Sequence, residues 1–213
     1  MKKFMLLMAI VCSMAFVSCT GCADKKVVGN DSITNDSTVT DSVNYVENAI
    51  AMDKENMYLT YGKDYKWFET CIVLNEYMDS ENTNDSIVGI SNIFQVLEQK
   101  SSKSFDVHVI MYTHVGDSTQ VDVKHDFWIE DMPMNDDVIK VSFKEAYAKM
   151  MATNLPKPHS RQCVLRKEIG PKDCNPQYIF GNSEAQIYVD AVTGDVTDMN
   201  PAFPTKLNYS FNW

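Results

Sequence analysis

Two alternating runs near the middle of the chain constrain its fold more than any other feature. Phe105, Val107, Val109 and Met111 place apolar side chains at every second position, and Val121, Val123, His125, Phe127 and Ile129 trace a second such run. A period of two marks strands with one buried face. Gly116-Asp117-Ser118 lies between them and reads as a turn. Pairing Val115 with Thr119 sets Met111 opposite Val123 and Val107 opposite Phe127, so both apolar faces coincide. The expected nucleus is therefore an antiparallel hairpin, and its neighbours must cover one side of a sheet.

The flanking segments supply candidates. Tyr65–Tyr77 (YKWFETCIVLNEY) is rich in aromatic and β-branched residues and reads as a strand. After the polar loop Asp79–Ser86, the residues Ile87, Ile90, Ile93, Phe94 and Leu97 fall at helical spacing, which predicts a helix ending near Lys100. Beyond the acidic loop Glu130–Asp137, Ser142-Phe143-Lys144-Glu145 is a capping box. The stripe Phe143, Ala146, Tyr147, Met150 and Met151 continues that helix, and Pro156 and Pro158 end it. Strands follow at Arg161–Ile169, Gln177–Phe180 and Glu184–Asp190. The fold class expected is α+β: an antiparallel sheet with two helices packed on one face. Helix-then-strands occurs twice, which divides an α+β domain over 61–213 into units at 61–138 and 139–200.

The N-terminal residues address the chain. Met1-Lys2-Lys3 is basic, and Phe4–Val17 is an apolar-to-small stretch. It is shorter than the ~20 residues that span a bilayer and fits a signal-peptide core, residues 1–18. Phe16-Val17-Ser18-Cys19 resembles a bacterial lipobox, which implies acylation of Cys19 and attachment to a membrane of the cell envelope. Cys22 is the rival position, with an ordinary secretory cleavage near Ser18 as the other alternative. Ala23–Thr40 is too poor in large side chains to offset its ordering entropy. It extends a tether over 19–60 that includes a short helix suggested by Val43, Val46 and Ile50. Export permits disulfides; Cys22, Cys71, Cys163 and Cys174 allow three pairings. Cys163 and Cys174 flank the bend Gly170-Pro171-Lys172-Asp173 and form a possible disulfide, whereas Cys71 reads as a buried thiol.

Chemistry is sparse. A net charge of −10 argues against nucleic acid as a partner, because phosphate binding needs a basic face. The predicted register places His108 opposite Asp126 on the outer face, but no motif sets a nucleophile beside the pair. His108 and His114 lie ~20 Å apart along a strand and His125 points to the apolar side, so neither a metal site nor a cofactor is expected. Tyr112, Trp128, Met132 and Met134 are apolar groups among acids and form the candidate binding surface. Trp67 and Trp128 are the alternative, as stacking platforms for a glycan or small ligand.

The C-terminal strand closes with Tyr188-Val189-Asp190-Ala191-Val192-Thr193-Gly194-Asp195-Val196. Asp190 is placed to accept backbone N–H groups of the turn, and Gly194 supplies a positive φ. This strand and turn, together with Ser142-Phe143-Lys144-Glu145-Ala146, resemble a PepSY-type module over about 141–197. Tandem PepSY-like lipoproteins are similar in outline to the proteinaceous β-lactamase inhibitor. The resemblance implies a non-catalytic protein-binding or inhibitory module, with a protein partner in the cell envelope and no catalytic residues.

Overall fold

A computed structural model describes residues 44–77, 84–102 and 104–204. The leader, the tether to residue 43, Cys19 and Cys22 lie outside them. The first helix, α1 (Tyr45–Tyr61), leads to β1 (Tyr65–Leu74), β2 (Ile87–Ser101), β3 (Ser104–Val115) and β4 (Ser118–Lys124). The short β5 (Asp131–Met132) precedes α2 (Phe143–Ala152), β6 (Gln162–Glu168), β7 (Gln177–Asn182), β8 (Ala185–Asp190) and β9 (Val196–Thr197). All pairings are antiparallel, in the order β4-β3-β2-β1-β6-β7-β8-β9, with β5 on the free end of β6. Each half is thus a helix followed by a four-strand meander, and the halves join where β1 meets β6. Val46, Ala49, Ile50 and Met57 of α1 share one apolar cluster with Phe143, Ala146, Tyr147 and Met150 of α2. The helices therefore cover the same face of the sheet. Among the described residues no helix is long and apolar enough to cross a membrane.

The first helix lies where Val43, Val46 and Ile50 suggested a short helix, within the expected tether over 19–60, but it runs on to Tyr61. Glu47, Ala49, Ala51, Met52, Lys54 and Glu55 favour helix, but the buried stripe contains Asp53, which blurs the apolar period. Complete burial of side chains such as Ile50 and Met57 stabilises by ~1.5–3 kcal/mol each.

Residues 87–100, expected as a helix, form β2. Ile90, Asn92, Phe94 and Val96 face α1, while Ile93 is buried on the opposite face. A strand covered on both sides loses the period of two, and here the remaining apolar spacing mimics a helix. Its β-branched residues, Ile87, Val88, Ile90, Ile93 and Val96, fit a pleated surface better.

The hairpin exists, but its register is shifted by one residue. Val115 pairs with Ser118, Ile110 with Val123 and Met111 with Asp122. The turn has two central residues, Gly116 and Asp117, and Gly116 takes φ 55°, a conformation that matches the strand twist of tight hairpins. A slip of one exchanges faces. Ile110, Tyr112 and His114 point toward the helices, and Phe105 is exposed.

The second half follows its sequence closely. Ser142 Oγ accepts from the Glu145 N–H at 3.2 Å, and the Ser142 N–H donates to Glu145 Oε2 at 2.8 Å. After β8, Asp190 accepts from the N–H groups of Val192 (2.8 Å) and Thr193 (2.9 Å). Gly194, at φ 76°, closes the reversal by donating to the Asp190 carbonyl at 2.8 Å. The chain then returns as β9 along β8.

Candidate functional site

The proposed binding surface does not hold together as one patch. Tyr112 is buried on the helix side, its ring edge-on to Phe94 at 6.0 Å. Met134 is also buried, with its N–H on the Trp67 carbonyl at 2.7 Å. Trp128 is half-buried and donates Nε1–H to Asp131 at 3.1 Å. Of the four, only Met132 is exposed. The exposed apolar groups of this segment are instead Phe127 (60%) and Ile129 (77%), set between Asp126 and Glu130. On the helix side of the sheet β4, an edge strand, exposes Val121 and Val123, the partners of Tyr112 and Ile110. Alternation after Gly116 pointed to these residues as buried; edge position reversed that. Trp67 is buried beneath the Lys54 ammonium, 3.4 Å from its ring centroid, so it is no stacking platform.

Segment 125–134 is held across the sheet by buried charge. The Trp128 N–H donates to the Gln95 side chain at 2.7 Å, and β5 pairs Asp131 with Glu168 and Met132 with Lys167. Asp131 sits against Glu69 of β1 and Arg166 of β6, with Arg166 Nε 3.5 Å from its carboxylate and Glu168 bound by Arg166 at 2.7 Å. Burial, and then the Asp131 charge, push the Glu69 carboxyl up to about 8, against the lowering influence of Arg166. Burial also raises Asp131, which Arg166, the Trp128 N–H and Glu69 hold back. Two carboxyls this close share one proton. The pair keeps that proton well above the ordinary carboxylate range, Glu69 being the carboxyl that burial and Asp131 raise. Glu69 and Asp131 are 4% and 3% exposed, too enclosed to meet a substrate. Their work is to fasten β5.

A second polar network ties α1 to the sheet. Asp53 Oδ2 meets His114 Nε2 at 2.8 Å and accepts from Asn92 Nδ2 at 2.6 Å; Thr70 donates to Asn92 at 2.6 Å. His114 Nδ1 lies 3.0 Å from Thr119 Oγ1. Carboxylate, imidazole and hydroxyl thus stand in line, but two of the three are buried, and Thr119 is the cross-strand partner of His114 in the ladder. The line satisfies polar groups under the helix.

His108 is not paired with Asp126, whose carboxylate accepts instead from the Phe127 N–H at 2.8 Å. His108 lies against His125, ring centroids 4.5 Å apart, and both approach Asp106. The expectation that His125 points away from His108 fails with the register.

Cys163 and Cys174 are separate thiols with no bridge between them, and Cys71 is half-buried where a buried thiol was expected. Cys163 is buried in the core beneath the helices, where burial pushes its thiol well up. Cys174 lies in the turn between β6 and β7, at an open cleft with Lys172, Asn175 and Asp190. Asp190 is already engaged by its own turn.

Comparison with family models, curated proteins and solved structures finds no match to this chain.

Proposed function

We propose that this chain is a lipid-anchored cell-envelope protein whose folded part is a non-catalytic protein-binding or inhibitory module of PepSY-like type. The observation that carries the reading is the doubled architecture, two helix-plus-four-strand halves on one antiparallel sheet. It agrees with the tandem units implied by the Ser142–Ala146 and Tyr188–Val196 motifs. The basic leader, the lipobox-like Phe16–Cys19 and the polar stretch after it support membrane attachment through Cys19. The contact surface is the exposed Phe127, Ile129 and Met132. Asp126 and Glu130 rim it, so the partner is a protein with an apolar patch bordered by Lys or Arg.

The test is cross-linking in intact cells with the wild-type chain and a Phe127→Asp/Ile129→Asp double variant. The reading expects one protein, absent from the variant sample, that rebinds the purified chain with salt-sensitive affinity. Equal cross-links from both chains, or none, overturn it. Radiolabelled palmitate should enter the wild-type chain and not Cys19→Ala; label retained in that variant overturns the anchor assignment.

A further inference from the structure

We infer that Asp106, His108 and His125 form a binding site for a divalent transition-metal ion, with Zn²⁺ as the natural probe. The site follows from the hairpin register. With Val109 paired to Lys124, the next position out places His125 beside His108, and Asp106 stands two residues away on the same face of β3. One ligand atom from each residue lies within 4.8 Å of the others. His108 Nε2 is 3.4 Å from Asp106 Oδ2, and His125 Nδ1 is 3.7 Å from Asp106 Oδ1.

These distances are close to what an ion requires. Bonds of ~2.0–2.1 Å in a tetrahedral site put ligand atoms roughly 3.3–3.4 Å apart. The aspartate separations, each to a different carboxylate oxygen, are near that value, so a small turn of the carboxylate and closer approach of the two imidazoles complete the set. His125, 72% exposed at its side chain, is free to swing in. His108, at 14%, is the fixed ligand. Two imidazoles with one carboxylate select a borderline ion over Mg²⁺ or Ca²⁺, which take oxygen ligands. The fourth position faces solvent. Glu98, the cross-strand partner of Asp106, lies 3.9 Å from His108 Nε2 and adds negative charge. Lys100 sits 2.8 Å from Glu98 and 3.9 Å from Asp106; it balances the carboxylates without metal and has the exposure to withdraw.

The assignment is independent of the protein-binding reading. It is tested by titrating Zn²⁺ into the full chain after chelator treatment, by calorimetry, beside His125→Ala, His108→Ala and the exposed-loop control His159→Ala. The expected result is one equivalent bound by wild type and by His159→Ala, with affinity reduced about 100-fold or more in the other two. Circular dichroism checks that they fold, and His125→Ala, altering an exposed side chain, should. Mg²⁺ and Ca²⁺ should give no heat of binding. Co²⁺ should give a visible spectrum of nitrogen and oxygen ligation without thiolate charge transfer. No Zn²⁺ binding, identical titrations for wild type and His125→Ala, or thiolate ligation overturns the site.

Discussion

Replacing Glu69 by Gln should remove a pH dependence from the stability of this protein. Glu69 is held protonated in the folded chain, its carboxyl moved from an ordinary 4.5 to about 8 by burial and by Asp131. The folded state therefore keeps a proton that the unfolded chain releases. The associated stability is complete below about pH 4.5 and falls as the pH rises toward 8. At ~1.4 kcal/mol for each pH step, the whole change is roughly 5 kcal/mol, of which roughly 2–3 kcal/mol falls between pH 6 and 8. Glutamine has nearly the same shape, and its amide donates to Asp131 at every pH. Urea denaturation from pH 5.5 to 8.5, extrapolated linearly, should show wild type losing stability with rising pH. Glu69→Gln should stay nearly flat and be the more stable form at pH 8. Titrating groups remote from the Glu69–Asp131 pair are common to both chains and cancel in the difference. Parallel pH profiles would refute the shared-proton arrangement.

Other changes have equally definite outcomes. At Asp190 burial opposes ionisation, but the Thr193 and Val192 N–H groups with Asn175 and Gln177 outweigh it and hold the carboxyl below its usual range. The resulting stability is present above the unfolded carboxylate's titration and disappears as pH falls through the lower folded value. Asp190→Ala should therefore destabilise by about 1–3 kcal/mol at neutral pH, a gap that closes in strong acid when followed by urea melts. Gly181→Ala would place a Cβ 2.1 Å from the Ala185 carbonyl oxygen at φ 106°; thermal melting should show a loss of at least ~1–3 kcal/mol. Ser142→Ala removes the α2 cap and should cost ~1 kcal/mol, read from the same melts.

The parts of the fold legible in the sequence are those whose signals are local. The capping box at Ser142 and Glu145, the Phe143–Met150 stripe and the Asp190–Gly194 turn each depend on residues within a few positions of one another. Propensity and hydrogen-bonding geometry specify them without outside help. The α+β class and the single helical face follow because an amphipathic helix and a half-buried strand have few ways to hide their apolar sides. β2 was not legible, and α1 was legible only as a short helix around Val46 and Ile50, not in its full length. Burial on both faces gave Ile87–Ser101 a misleading period, and Asp53, satisfied by Asn92 and His114 from other elements, broke the pattern of α1.

The site is where tertiary structure decided most. Three central turn residues or two are nearly equal choices for Gly116-Asp117-Ser118 on paper, yet one residue of register reverses every side chain beyond it. That slip set Val121 and Val123 opposite Tyr112 and Ile110, where the edge position leaves them exposed, and brought His125 from the far side of the strand to His108 and Asp106. The residues flanking Gly116 determine by themselves that a hairpin forms. Only the packing of β3 between α1 on one face and the Trp128 segment on the other determines which of its faces looks inward; with Ile110 and Tyr112 buried there, the two-residue turn matches them to Val123 and Val121.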